Sequence, residues 1–259
     1  MSYFNFMGHD IFYEEIGMGD PLIFLHGNAS SSDVFKPIID FYKDDFKVVL
    51  IDYLGYGKSE QIDAFPLDIW AYEAAQVLEL IHLKDYRDVK LVGMSGGAIV
   101  AVNIALKEPE RIHKIIADSF QGEASTPQFL ESLEKERKKL LSSIPGKLNL
   151  RRIHGKKWYS MVVNETDSIL KFGNKPYFND DLSKLRTPLL LTGCKDDQRL
   201  RKSHYIQIYN CLLKKVRHTS IYLFKNGKYP AVIAHPESFS DLAYHFFDDD
   251  DTIQIYKVE

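Results

Sequence analysis

The chain has 259 residues, 45% hydrophobic and 13% aromatic, which is enough apolar material for one α/β domain with an insertion or for two domains. Its 33 basic and 36 acidic residues leave a formal net charge of −3, so nothing marks it as a nucleic-acid binder, which needs a concentrated basic face. The segment from Met1 to Phe6 lacks a basic stretch followed by a long apolar run, and no stretch approaches the roughly 18 uninterrupted apolar residues of a spanning helix. Cys194 and Cys211 are too few for a disulfide framework. The expectation is a cytoplasmic protein with no secretory signal and no membrane span.

In chain order, β-rich runs at residues 11–16, 21–25, 46–51, 89–92, 112–117, 189–192 and 219–224 predict strands. Helical patterns fall near 32–42, 67–83, 97–107, 201–213 and 236–247. Strands alternating with helices predict the α/β class, a mostly parallel sheet flanked by helices. The rhythm breaks once. From residue 121 to 181 there is no strand pattern, only helix-like and basic sequence that includes 129–141. This predicts a helical cap over 121–181, inserted into a core of residues 1–120 and 182–259. Asp248 to Asp251 form an acidic spacer, and 252–256 alternates well enough to add an edge strand.

Gly93-Met94-Ser95-Gly96-Gly97 follows an apolar run and opens a helical one. A serine held in a strained turn between strand and helix needs small residues two positions away on each side, and Gly93 and Gly97 supply them. The helix that follows points its N-terminus at Ser95 and favours negative charge there.

With these residues the chain resembles the α/β-hydrolase superfamily over nearly its whole length, as a serine hydrolase with a Gly-x-Ser-x-Gly nucleophile elbow and a helical cap. The resemblance implies that His26-Gly27-Asn28 is the oxyanion loop, with the backbone N–H groups of Asn28 and Gly96 as donors. Asp52-Tyr53-Leu54-Gly55-Tyr56-Gly57-Lys58-Ser59 matches a turn that shapes the family's fold and is not catalytic. The return from cap to core, ending in Thr192-Gly193-Cys194-Lys195-Asp196, puts Asp196 at the family's acid position, with Asp118 after the preceding strand as the alternative acid. Relatives that open haloalkanes or epoxides use an aspartate nucleophile, so Ser95 argues against both chemistries.

The departure is at the base. Where relatives carry Gly-His, this chain reads Gly227-Lys228, with Tyr229-Pro230 and His235-Pro236-Glu237 framing it as in the family. Four readings follow: a lysine base at 228, another histidine as base, a ligand pocket without turnover, or a base supplied by the substrate. An ordinary lysine at neutral pH is uncharged in about one molecule in a few thousand, which costs a base roughly 4–5 kcal/mol. Asp196 at the acid position would stabilise the ammonium, so an ion pair of Lys228 with Asp196 is expected ahead of a lysine base. His235 is expected at the surface or as a cap, and His204, His218 and His245 are poorly placed.

Between Lys135 and Lys157 nine basic residues face Glu136 alone, expected as a solvated helix surface and alternatively as a field for anionic substrates. Cys194 is expected to be a small buried residue. The function expected is hydrolysis of an ester, thioester or related acyl substrate through Ser95 and Asp196, with Lys228 in the histidine position, and with no cofactor and no metal. The alternative is a pseudo-hydrolase that binds a small ligand or partner without turnover. Oligomeric state is left open.

Overall fold

A computed structural model of the chain describes residues 2–197, 202–248 and 256–257. Its strands are β1 (Ser2–Phe6), β2 (His9–Ile16), β3 (Asp20–Leu25), β4 (Phe46–Ile51), β5 (Val89–Met94), β6 (Ile112–Asp118), β7 (Leu189–Cys194), β8 (Thr219–Phe224) and β9 (Tyr256–Lys257). They form one sheet in the order β1-β2-β4-β3-β5-β6-β7-β8-β9. β1 and β2 pair antiparallel, β2 runs antiparallel to β4, and the remaining pairs are parallel.

Each expected strand is present. β1 is additional: Phe4 and Phe6 are buried while Tyr3 and Asn5 face out, a period-two edge strand that five residues are too few to announce in sequence. The expected edge strand near the C-terminus is described only as β9, and residues 252–255 lie outside the described residues.

β5 is buried at all six positions, as a parallel strand covered on both faces must be. Alternation along β3 divides the core. Ile23 and Leu25 join one apolar cluster, and Leu22 and Phe24 join the other. The first cluster lies beneath α1 (Ile69–Leu83), α2 (Gly96–Lys107) and α6 (Lys202–Lys215). The second lies beneath α8 (Pro236–Asp248) and a 3-10 helix at Ser32–Phe41. The latter was expected as an ordinary helix, but Pro37 inside it removes a backbone donor. α1 starts at Ile69 because Asp68 caps it, accepting from Ala71 N at 3.1 Å.

Three helices stand between β6 and β7: α3 (Pro127–Ser142), α4 (Ile144–His154) and α5 (Trp158–Phe172). Thr126 and Ser143 cap the first two through their side chains. α3 is polar on most of its surface, and its buried residues are Leu133 and Arg137, one turn apart, with Arg137 turned to Glu165 of α5. Among the described residues no helix is long and apolar enough to cross a membrane, and no cluster of potential metal ligands occurs.

Candidate active site

The turn between β5 and α2 holds Ser95 at φ 57° and ψ −115°, a strained backbone for any residue with a side chain. Two hydrogen bonds pin it. Ser95 N donates to Asp118 O at 2.8 Å, and Ser95 O accepts from Ala98 N at 3.0 Å. Glycine is required on both sides, because a Cβ at position 93 would lie 2.3 Å from Gly97 O and one at 97 would lie 2.0 Å from Leu25 O. A Cβ at Gly27 would lie 3.2 Å from that of Ser95, so the 26–28 loop packs directly on the serine turn.

Ser95 is nearly buried and faces a cavity whose wall includes Asn28, Trp70, Gln121, Arg137 and Tyr229. Neither the Asn28 nor the Gly96 backbone N–H has a protein acceptor among the described residues. Both expected donors are therefore unoccupied beside Ser95. The Asp52 turn has the structural role expected of it: the buried carboxylate accepts from Ser32 N at 2.7 Å and Lys58 N at 2.8 Å, and Gly57 leaves room for it.

The acid and base positions differ from expectation. Asp196 and Lys228 are both exposed on the wall of an outer cavity that meets the first at Ser132, Glu136 and Tyr229. The expected ion pair between them does not form: each side chain reaches solvent from a separate loop. The buried aspartate of that turn is Asp197, which accepts a short hydrogen bond from Tyr205 OH. Asp118 is fully buried and committed to the fold. Its oxygens accept from Thr192 Oγ1 at 2.9 Å and from Val232 N at 3.1 Å, in the short helix α7 (Ala231–Ala234). Burial pushes its carboxyl up to about 6.

Among the described residues no histidine lines the Ser95 cavity, and no side chain hydrogen-bonds Ser95 Oγ. His235 is not a simple surface residue. Its ring stacks on Phe224 at 4.6 Å, its Nε2 bonds Asn226 O at 2.6 Å, and a Cβ at Gly227 would lie 2.3 Å from it. It thus props the loop that carries Lys228. His26 is fully buried with its Nδ1 at Gly27 O, and burial lowers its pKa. His154, held by Gly57 N at 3.1 Å, is pushed down to about 4 by burial. Cys194 is buried as expected, its thiol pushed up to about 12 by desolvation.

Behind the 26–28 loop lies a buried polar network not expected from the sequence. Glu165 of α5 is fully buried and accepts from Ala29 N at 2.6 Å, Tyr56 OH at 2.8 Å and Arg137 Nη2 at 3.3 Å. It joins α3, α5, the 26–28 loop and the Asp52 turn. A sequence signal existed for both charged members. Glu165 falls among the buried Met161, Val162, Ile169 and Phe172 of α5, and Arg137 lies four residues after Leu133. A charge in an apolar stripe implies a buried partner.

Glu73 adjoins this network. Burial first, and then the nearby Glu165, hold its carboxyl well above the ordinary value of 4.5. The folded chain therefore keeps a proton that the unfolded chain releases, so stability falls as pH rises from about 4.5 towards the folded value. Glu73→Gln removes that penalty. Urea titrations are expected to find it more stable than the native protein at pH 7, with the difference gone below about pH 4. A native advantage that grows with pH would reverse the sign and refute it.

Comparison with known proteins agrees with this architecture. Residues 20–146 match the family described as alpha/beta hydrolase fold. The human protein named serine hydrolase BPHL is 26% identical, over 92% of this chain and 83% of that protein. A pimeloyl-[acyl-carrier protein] methyl ester esterase of Legionella pneumophila (strain Corby) is 26% identical over 48% of this chain and 46% of its own length. An esterase of Exiguobacterium antarcticum superposes with a TM-score of 0.72 at 17% identity, covering 93% of this chain and 97% of that one. The sequence match, the sheet order and the superposition together support the alpha/beta hydrolase fold family, and this chain has that fold.

Proposed function

We propose that the chain is an esterase-like hydrolase that captures acyl groups on Ser95 beneath a cap formed by α3–α5, and that it turns over slowly. The observation that carries this reading is the strained Ser95 turn facing a cavity beside two unoccupied backbone N–H groups. Preorganised donors of this kind stabilise a developing oxyanion without reorganising. Ser95 Oγ attacks the ester carbonyl, Asn28 N and Gly96 N hold the oxyanion, and the departing alkoxide takes the serine proton. Small acyl esters or thioesters are the substrate class, and the similarity to named esterases supports that choice.

Slow turnover is expected where no base reaches Ser95. With Lys228 on the outer cavity and, among the described residues, no histidine lining the Ser95 cavity, an oxyanion hole and binding alone retain about 10³–10⁴-fold acceleration over water. The same observation favours a second reading, a pseudo-hydrolase that binds an acyl ligand without cleaving it. Fluorophosphonate labelling followed by intact-mass measurement separates the two. The native protein is expected to gain one adduct and Ser95→Ala none. Native protein that stays unlabelled removes Ser95 as a nucleophile and leaves the binding reading.

A further inference from the structure

The buried polar side-chain atoms left without a partner on the wall of the Ser95 cavity are all donors. Asn28 Nδ2, Trp70 Nε1 and Arg137 Nε are all buried with no partner, and all three are donors on residues that line this one cavity. Buried donors without acceptors are costly in a folded protein, about 1–3 kcal/mol each, so three around one cavity imply a ligand that supplies acceptors. Arg137 is the charged member. Its side chain is only 8% exposed, and one nitrogen, Nη2, is committed to Glu165. Glu165 does not line the cavity, whereas Arg137 does. The counter-ion is thus no part of the cavity wall, and Nε of the same guanidinium has no protein acceptor.

The outer cavity provides no such selection, because Lys135, Lys139 and Lys228 are matched there by Glu136, Asp196 and Asp197. Discrimination must lie inside. Glu136 also reaches the inner cavity, where it stands one residue before Arg137 on the same helix turn. From these positions we infer that the ligand of the Ser95 cavity is an acyl ester bearing a second, carboxylate group, which Arg137 binds with help from the Trp70 indole N–H. Arg137 is then a specificity-determining residue. This rests on the Ser95 cavity being the substrate site, as proposed above, but not on turnover.

The test is made on Ser95→Ala protein, so that no substrate is consumed. Calorimetry compares the monomethyl esters of succinic, glutaric and adipic acids with their monoamide counterparts, which have the same shape without the charge. At least one chain length is expected to bind about tenfold more tightly as the carboxylate, the scale of a charge-assisted hydrogen bond. Arg137→Lys keeps the buried ion pair with Glu165 and so preserves folding, but a compact ammonium leaves no guanidinium fork for the ligand. The preference is expected to fall below about twofold in that variant, and to fall about threefold in Trp70→Phe, which removes only the indole donor. Equal binding of acid and amide at every length overturns the inference, as does an undiminished preference in both variants. Retained preference in a protein that fluorophosphonate cannot label would instead count against Ser95 as nucleophile and leave this inference standing.

Discussion

Glu165→Ala is expected to lower the unfolding free energy by about 3–5 kcal/mol, the scale of breaking a buried ion pair by removing one member. Three groups lose their acceptor at once: the Arg137 guanidinium, the Ala29 N–H and the Tyr56 hydroxyl. All three residues are buried, so water does not readily replace the lost carboxylate. Chemical denaturation at pH 7 measures the loss directly. Glu165→Gln retains one oxygen acceptor and nearly the same shape, and is expected to cost roughly half as much. The effect reaches the site because Ala29 follows Asn28 and sits at φ 51°, a conformation that the Glu165 contact holds in place. Fluorophosphonate labelling of Glu165→Ala is therefore expected to slow even where the variant is folded. A stability change below about 1 kcal/mol would mean that the network is not a structural anchor.

Much of the fold could be read from local pattern. The apolar runs of β3 to β8 are long and bounded by turn residues, and the Gly93–Gly97 spacing has few structural solutions other than a tight strand-to-helix turn. What escaped was set by tertiary contact. β1 owes its order to pairing with β2, and its two buried phenylalanines are too short a signal alone. The polar network joins residues far apart in sequence, 136 positions in the case of Ala29 and Glu165, so no local pattern links them. The aspartates of the β7 turn show the limit most clearly. Sequence places two carboxylates side by side, and only the fold decides that Asp197 turns inward to Tyr205 while Asp196 stays in solvent. The basic stretch divides in the same way. Lys135 and Lys138 form surface pairs with Glu131 and Glu134, whereas Arg137 between them turns into the cavity.

Lys228→His is expected to raise hydrolysis of short p-nitrophenyl esters by about 10²-fold or more, within the 10²–10⁴ that a positioned general base contributes. Position 228 lies beside Tyr229, which lines the Ser95 cavity, and on the wall of the outer cavity that Asp197 also lines. An imidazole there shares the outer cavity with the Asp197 carboxylate and adjoins Tyr229 on the wall of the Ser95 cavity, and nucleophilic catalysis needs a base with an acid and a serine as its neighbours. The loop needs no rebuilding, because His235, Phe224 and Gly227 fix it independently of the side chain at 228. Lys228→Ala is expected to leave the native rate within about twofold, since the native ammonium lies at the outer cavity and bonds no group at Ser95. A pH profile adds an independent check. An ordinary histidine titrates near 6.5, so the gain in Lys228→His should appear as a rise in rate between about pH 5.5 and 7.5 that the native protein lacks. If Lys228→Ala instead loses most of the native activity, lysine is the working base and the slow-turnover reading fails. If Lys228→His gains nothing while Ser95 still labels, the outer loop holds position 228 too far from the serine for any base placed there to reach it.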